Sequence, residues 1–557
     1  MIFNLKNFVY SNKYLICVLF LSFLPFIFIF STPQFFYTQD GWAHLARAGA
    51  FYKALMDGQI PVRWAGDLNY AYGMPLFNFV FHFPYILMSI FIYLGFGLVD
   101  SLKIITLLSF VFSGIFMYLF TKIFFADEKK AFLSTVFYQF FIFRFVDMFV
   151  RGSVGEMFVF AFFPLILYGI CLSVKRKYFK SFIAIVAGVV GIILSHLAMG
   201  AVFIAISIFF MFLFVFGKIN KIIISFFMIV GMGVSAYYWM PALIEHKYTY
   251  GSLFAKNLYL SHFVSLTNLL NVNFFNDPRL RIGDVPVQIG LFHVFTIIAV
   301  IILLIKRKIT IMNDKKLILF CFILLILSFI IMQPISKPIW QKIPLFEQFQ
   351  FPWRFLSVIG FASSMLSVFI LNFRIFKKRA AYILLVVFVV GSTVFYWYPQ
   401  LGFRKVNEKD YWNYPLNTTY FGETDLIWSA GPAKAYPKKK VEIIGNNTVV
   451  SNLNTKSNLH TFDVFVKDTN LVIDHTQYYP GWIAKVGGKE VEIQFQDPLH
   501  RGEITFYVPK GKHEVVVRFL ETKTRLIADF ISIFSFITFI LVLITLKRGN
   551  KLLDKYT

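Results

Sequence analysis

The stretch from Thr38 to Trp64 carries an acid, an imidazole and a guanidinium at helical spacing. If Asp40 starts a helix, His44 and Arg47 follow at i+4 and i+7 and share its face. A carboxylate can act as general base toward a hydroxyl group, and a guanidinium can bind phosphate oxygens through two parallel hydrogen bonds. The other interpretation is that Asp40 is a helix N-cap while His44 and Arg47 face water.

Other charged side chains lie at the ends of apolar segments, where a charge is costly unless it is paired or faces water. Each has a structural alternative. Arg354 beside Trp353 would anchor a helix at the membrane interface. Arg151 with Glu156 would form an ion pair, and His196 would be an ordinary helix-end histidine. The candidates that this argument adds are Arg63, Trp64, Asp147, Arg151, Glu156, His196 and Arg354.

The composition is that of a membrane protein. Of the 557 residues, 58% are hydrophobic and 20% aromatic, and the mean hydropathy is +0.67. Apolar runs of about 18 residues or more recur, as in a chain that crosses the bilayer many times. The formal net charge of +25 resides in short basic clusters between these runs, which is the pattern of cytoplasmic loops. Composition thus predicts the lipid bilayer as a partner and no nucleic acid.

The basic clusters also indicate a topology. Lys6 and Lys13 precede the first span and would hold the N-terminus in the cytoplasm. Counting the segment 78–96 as a span would place five later basic clusters outside, so we interpret it as re-entrant or interfacial. The first outer loop then covers 31–101, and every candidate residue falls on the extracytoplasmic side. The predicted spans, about twelve, lie near 14–30, 102–125, 131–143, 156–174, 179–195, 199–216, 221–239, 288–305, 317–332, 354–373, 380–398 and 525–546.

The region 399–524 is more polar than the apolar segments before it. Its polar sequence contains short stretches, such as HTFDVFVKD and HEVVVRF, that alternate with period two. About seven such strands predict an extracytoplasmic antiparallel β-sandwich of roughly 100 residues. In it, Tyr478, Tyr479 and Trp482 would either pack in the core, which we favour, or stack on sugar rings.

The predicted fold class is therefore a mostly α-helical polytopic membrane protein with a re-entrant segment and a C-terminal β-sandwich. The transmembrane domain would cover 1–398 and the sandwich 399–524. A last span and a short basic cytoplasmic tail would cover 525–557, so that both termini are cytoplasmic.

Signatures of soluble enzymes are absent from the sequence. It contains no P-loop, no GxGxxG after a strand, no HExxH and no paired CxxC, and its three cysteines lie within apolar runs. The predicted cytoplasmic loops are too short to hold a nucleotide-binding domain. An activated donor must then be reached from the membrane or from the outer side.

Several short motifs, spread over most of the chain, resemble those of known membrane glycosyltransferases. They are DGWAH at 40–44, GQIPVRW at 58–64, YGMP at 72–75, VRG at 150–152 with Glu156, QFPWR at 350–354, YPGW at 479–482 and VPKGKH at 508–513. On these motifs the chain resembles the GT-C superfamily, which includes oligosaccharyltransferase catalytic subunits and protein O-mannosyltransferases. It resembles more closely the membrane proteins of the 6-pyruvoyl-tetrahydropterin synthase related family, with the YfhO-like proteins as relatives.

The resemblance implies a polyprenyl-phosphate-sugar donor and an acidic residue in the first outer loop, which corresponds to Asp40. It also implies a second acidic site between the next two spans. Asp147 and Glu156 lie there, but without the Asp-x-Asp spacing of oligosaccharyltransferases. That departure leaves metal dependence open, so a divalent cation (Mg²⁺ or Mn²⁺) held by Asp40, Glu156 and Asp147 stays an alternative.

The sequence thus predicts a plasma-membrane glycosyltransferase that acts in cell-envelope glycoconjugate assembly. It would move a sugar from the lipid-phosphate carrier to an extracytoplasmic glycan, lipid or protein. Asp40 and Glu156 are the predicted catalytic residues, with Asp40 as base or metal ligand. The predicted substrate-binding residues are His44, Arg47, Arg63, Trp64, Arg151 and Arg354.

Two other functions fit parts of the sequence. A transporter or flippase of lipid-linked glycans would place charges at mid-span and often shows inverted repeats, whereas these charges cluster at one face. A non-catalytic envelope scaffold would leave Asp40, Arg151 and Glu156 widely separated in the structure.

Overall fold

The computed structural model describes residues 12–251, 256–274, 281–282, 285–420, 422–445 and 448–556. Lys6, one of the two charges used to orient the first span, lies outside the described residues.

Eight helices in the described chain are long and apolar enough to cross a membrane. Their 18 to 28 residues cover about 27–42 Å at 1.5 Å per residue, against a hydrocarbon core of about 30 Å. They are Lys13–Phe30, Leu98–Phe125, Val154–Val174, Tyr178–Ser195, Leu197–Phe214, Pro352–Asn372, Arg379–Tyr396 and Lys523–Arg548.

Three bent pairs of helices raise the number of candidate spans in the described chain to as many as eleven. They are Glu128–Gln139 with Ile142–Arg151 (45°), Lys218–Val234 with Ala236–Tyr248 (69°), and Met312–Ile331 with Pro334–Lys342 (83°). The prediction of a mostly helical polytopic protein is confirmed, with eight to eleven candidate spans rather than about twelve. The predicted span near 288–305 is the helix Leu291–Ile305, whose 15 residues cover about 22 Å and fall short of the hydrocarbon core.

The segment 78–96 contains the helix Phe83–Tyr93, which has 11 residues and covers about 16 Å. That length is about half of what a span needs, and it fits the re-entrant or interfacial interpretation. The helix packs between Gly41–Met56 and Leu98–Phe125. The first loop thus folds onto the helical bundle.

Apart from the 16-residue helix Gly41–Met56, the other described elements outside the C-terminal β region are short. They are the helical segments Leu76–Asn78, Leu258–His262, Leu266–Leu270, Pro344–Glu347, Arg374–Lys377 and Glu408–Trp412 and the strand pairs Phe35–Phe36 with Phe403–Arg404 and Arg281–Ile282 with Val285–Pro286.

The C-terminal region forms two antiparallel sheets that share one core. The larger sheet has the strand order Lys489–Val491, Trp482–Val486, Gly511–Phe519, Leu459–Val466, Val449–Lys456, and the smaller has Glu503–Val508, Asn470–Gln477, Val441–Ile444. In Leu459–Val466 every second residue is buried, as the period-two pattern predicts. Phe462 of the larger sheet and Phe506 of the smaller belong to the same apolar cluster.

Tyr479 and Trp482 are buried in this core, with exposed fractions of 0% and 3%. Core packing, the alternative that we favoured for them, is therefore what the structure shows. Tyr478 is only half-buried and stacks on Phe495 at 4.3 Å between ring centroids.

Candidate functional site

The helix Gly41–Met56 follows Asp40, which occupies the N-cap position without making a side-chain cap hydrogen bond. The Thr38 hydroxyl accepts instead from the Gly41 N–H at 3.1 Å. The helix ends before Gly58, which has the positive φ of +93° that favours glycine. Because Thr38 takes over the cap, the carboxylate of Asp40 stays available for other contacts.

A π-helical turn, Asp147–Arg151, ties the start of this helix to the bundle. It leaves the carbonyls of Val150 and Arg151 free to accept from the N–H groups of Gln39 (2.9 Å) and Asp40 (2.8 Å). Gly152 ends the turn with φ +75°, and a Cβ there would collide with Thr38. Backbone geometry therefore places Asp40 directly beside Arg151, and the two side chains interact electrostatically.

Arg151 belongs to a buried cluster of four charged side chains. Its guanidinium binds Asp147 through Nη1 and Glu156 Oε1 through Nη2, the latter at 2.9 Å. Arg354 donates from Nε to the same Glu156 oxygen at 2.8 Å and from Nη1 to the Phe349 carbonyl at 2.7 Å. Elements far apart in the chain thus converge on one carboxylate.

Aromatic rings hold both guanidiniums in place. The Trp353 ring centroid lies 4.5 Å from Cζ of Arg151, and the Phe351 centroid lies 4.9 Å from Cζ of Arg354. His196 Nε2 lies 3.7 Å from Glu156 Oε1, so His196 joins the edge of the cluster. Within the described chain, Nη2 of Arg354 takes part in no hydrogen bond or ion pair.

A segment from the beginning of the C-terminal region covers Asp40. The Tyr420 hydroxyl lies 2.9 Å from Asp40 Oδ1 and 2.7 Å from the Gln39 carbonyl. Burial and the neighbouring Asp40 charge raise the pKa of Tyr420, so its hydroxyl stays a proton donor. Arg47 donates from Nε to Thr418 Oγ1 at 2.9 Å. Asp40 and Arg47 therefore contact the same short segment, as their shared helical face predicted.

His44 lies deeper than we expected for a residue that contacts substrate. It is 3% exposed, and its Nδ1 lies 2.8 Å from the hydroxyl of Tyr85 on the helix Phe83–Tyr93. Burial and the charge of Arg47 hold the pKa of His44 well below its usual range, so the ring is neutral at pH 7. The geometry suits a residue that positions the helix Gly41–Met56.

The structure does not bring Arg63 and Trp64 to this cluster, so the grouping of these two residues with the other candidates does not hold, and substrate binding by them stays a prediction. Trp64 packs in the sandwich core, with its ring 5.5 Å from that of Trp482. Arg63 pairs with Glu521 at 2.7 Å and with Asp529 at 2.9 Å, beside the last span. The GQIPVRW motif thus joins the first loop to the sandwich and to the helix that follows it.

A second buried network, which the sequence did not reveal, continues this junction. Glu245 accepts from Arg525 Nε at 3.0 Å, from the Tyr479 hydroxyl at 2.7 Å and from Asn78 Nδ2 at 2.6 Å. These four residues come from four parts of the chain that no motif or spacing relates.

The residues of the cluster do not fit a divalent cation. In the described part of the chain, no three His, Cys, Asp or Glu side chains converge as metal ligands would. Asp147 and Glu156 are each bound by a guanidinium, and a cation beside Glu156 would meet the positive charges of Arg151 and Arg354. We therefore derive no step that uses Mg²⁺ or Mn²⁺.

Replacing Arg63 by methionine is expected to lower the free energy of unfolding by roughly 2–3 kcal/mol, because Glu521 and Asp529 lose their charged partner. The midpoint of thermal unfolding in detergent measures this loss. Arg518→Met, at an exposed position on a sandwich strand, is the control and should change stability by about 0.5 kcal/mol or less. If the variant kept its stability but bound substrate more weakly, Arg63 would be a substrate-binding residue and not a structural one.

A comparison with protein families matches residues 77–400 to the 6-pyruvoyl-tetrahydropterin synthase related domain, a family of membrane proteins. The matched region contains Arg151, Glu156 and Arg354, but Asp40 and the sandwich lie outside it. No curated protein matches the chain significantly.

Proposed function

Because the chain belongs to the 6-pyruvoyl-tetrahydropterin synthase related family of membrane proteins, we propose that it is an integral-membrane glycosyltransferase. The donor is a polyprenyl-phosphate-linked sugar, and the acceptor is a hydroxyl group of an extracytoplasmic glycan, lipid or protein. One observation supports this above all. The backbone N–H of Asp40 donates a hydrogen bond to the Arg151 carbonyl. The Asp40 carboxylate therefore lies beside the guanidiniums of Arg151 and Arg354, which Glu156 holds in place at one end of the bundle.

In the reaction, the acceptor oxygen attacks the anomeric carbon of the sugar. The bond between that carbon and the phosphate oxygen breaks, and polyprenyl phosphate leaves with the bonding electrons. The carboxylate of Asp40 takes the proton of the acceptor hydroxyl. Tyr420 holds one carboxylate oxygen at 2.9 Å and thereby orients the base.

The guanidiniums stabilise the negative charge that develops on the leaving phosphate. Arg354 retains an Nη2 group that can donate to a phosphate oxygen, whereas both Nη atoms of Arg151 are bound to carboxylates. Arg151 therefore contributes mainly positive charge at short range. Glu156 and Asp147 hold the two guanidiniums in fixed orientations, so little reorganisation accompanies charge development. We assign Glu156 a positioning role.

Arg354→Lys is expected to lower kcat/KM for the lipid-linked donor by about 10- to 100-fold. Lysine keeps the charge but cannot contact Glu156, Phe349 and a phosphate at once from one planar group. Steady-state kinetics with varied donor measure the effect. The matched control is Arg518→Lys, an exposed sandwich position where we expect no change. Equal kinetics of both variants would exclude Arg354 from donor binding.

The proposal is tested with purified protein in liposomes that contain radiolabelled polyprenyl-phosphate sugars. Label should appear in an added acceptor extract, and mass spectrometry of surface glycans from cells with and without the protein should identify the product. Movement of a fluorescent lipid-linked glycan across the liposome membrane without transfer of label would indicate a flippase instead. If no candidate donor gave transfer of label or movement across the membrane, the results would favour a scaffold.

A further inference from the structure

A large cavity lies at the opposite end of the bundle from Asp40 and Glu156. It has a volume of about 1030 Å³ and lies between the first span, Lys13–Phe30, and the helix Arg379–Tyr396. The turn around Asp127 and the end of the helix Pro352–Asn372 complete its lining. That last helix carries Arg354 near its beginning and Asn372 at its end, so about 30 Å separates the cavity from the proposed site.

The lining is basic at one end and apolar along the rest. Its basic side chains are Lys13, Lys129, Lys130, Lys377 and Arg379. Its apolar part includes Phe20, Ile383 and Val387, which are 64%, 48% and 55% exposed and belong to helices long and apolar enough to span a membrane. An apolar groove with a basic end matches the two parts of an anionic lipid, its hydrocarbon chains and its charged head group.

The charges of four of these side chains, Lys129, Lys130, Lys377 and Arg379, are not neutralised by an ion pair within the described chain. The one carboxylate in the lining, Asp127, caps a helix by accepting from the backbone N–H groups of Lys129 (2.8 Å) and Lys130 (3.1 Å). The neighbouring Glu128 is paired with Lys122 at 2.5 Å. No ion pair among the described residues involves the side chains of Lys129, Lys130, Lys377 or Arg379.

We propose that this cavity binds an anionic phospholipid of the surrounding bilayer. The phosphate lies among Lys129, Lys377 and Arg379, and an acyl chain lies against Ile383 and Val387. Basic pockets between membrane helices bind such head groups because each nearby lysine or arginine adds attraction for the phosphate. The inference is independent of the proposed enzyme activity, since the two regions lie at opposite ends of the bundle.

Native mass spectrometry of the full-length protein in detergent tests the proposal. The probes are phosphatidylglycerol and phosphatidylcholine with identical acyl chains. We expect phosphatidylglycerol to bind preferentially and to withstand millimolar inorganic phosphate, because the acyl chain contributes to binding. The variant K129Q/K377Q/R379Q should bind phosphatidylglycerol roughly a hundredfold more weakly, at about fivefold for each lost charge. The control K306Q/R307Q/K308Q, in an exposed basic loop outside the cavity, should bind normally.

A second pair of variants keeps every charge. Val387→Trp fills the apolar wall and should weaken phosphatidylglycerol binding, whereas Leu384→Trp, on the same helix but outside the lining, should not. Equal binding of the two lipids, or equal behaviour of each variant and its control, would overturn the proposal. Displacement by inorganic phosphate, or selective binding of polyprenyl phosphate in place of phosphatidylglycerol, would also overturn it.

Discussion

Replacing Asp40 by asparagine is expected to lower the rate of glycosyl transfer by about 10²- to 10⁴-fold, because an amide cannot accept the proton of the acceptor hydroxyl. Asparagine keeps the size of the side chain and can still accept a hydrogen bond from Tyr420, which lies 2.9 Å from Asp40 Oδ1. The hydrogen bond from the backbone N–H of residue 40 to the Arg151 carbonyl is unaffected by the change. The variant should therefore fold, bind donor and fail at the chemical step, which single-turnover transfer from a radiolabelled donor measures.

The matched control for this variant is Asp100→Asn. Asp100 lies in the first turn of the helix Leu98–Phe125, with a side chain that is 57% exposed, and it should retain full activity. Full transfer by the Asp40 variant would remove Asp40 as the base. Tyr420→Phe adds a graded comparison, since it leaves the carboxylate in place and removes only the hydroxyl that orients it.

Replacing Glu156 by glutamine is expected to lower the free energy of unfolding by about 3–5 kcal/mol. The change leaves Asp147, which is bound to Arg151, as the only carboxylate of the buried cluster, so Arg354 loses its charged partner, and an uncompensated buried charge is strongly destabilising. The midpoint of thermal unfolding of the detergent-solubilised protein measures the loss.

Glu128→Gln provides the control for the Glu156 variant. Glu128 is also paired, with Lys122 at 2.5 Å, but both side chains are more than a third exposed. We expect the free energy of unfolding to fall by about 1 kcal/mol or less, because water screens such a pair. If the two variants were equally stable, Glu156 would not hold the guanidiniums. Lost transfer with unchanged stability would instead mark Glu156 as a group that contacts substrate.

The sequence predicted the parts of the site that depend on local periodicity and on charge near apolar segments. Asp40 and Arg47 share a helical face, and both contact the segment that contains Thr418 and Tyr420. Arg151, Glu156 and Arg354 were chosen because an unpaired charge in a bilayer has a high free energy, and the structure brings the three side chains together.

The remaining contacts depend on long-range folding and left no local signal. Tyr420 lies 380 residues from Asp40, and Glu521 lies 458 residues from Arg63. Arg63 became a candidate because a charge near apolar segments is costly unless it is paired or faces water. The structure shows it paired with Glu521 and Asp529, and the sequence does not distinguish such a pair from a ligand site. The count of about twelve spans is not confirmed, because hydropathy reports the length of an apolar run and not where a helix bends or stops short.

The π-helical turn at Asp147–Arg151 has a consequence for how this chain tolerates change in length. Such a turn holds one residue more than an α-helix would place in the same rise. Deleting a single residue between Asp147 and Arg151 would restore α-helical geometry and rotate the side chains on one side of the deletion by about 100° relative to those on the other. Arg151 could then no longer face both Asp147 and Glu156, and the carbonyls that hold Asp40 would turn back into the helix. In this segment the register of one helical turn, more than the identity of any single apolar residue, links Asp40 to the guanidiniums of Arg151 and Arg354.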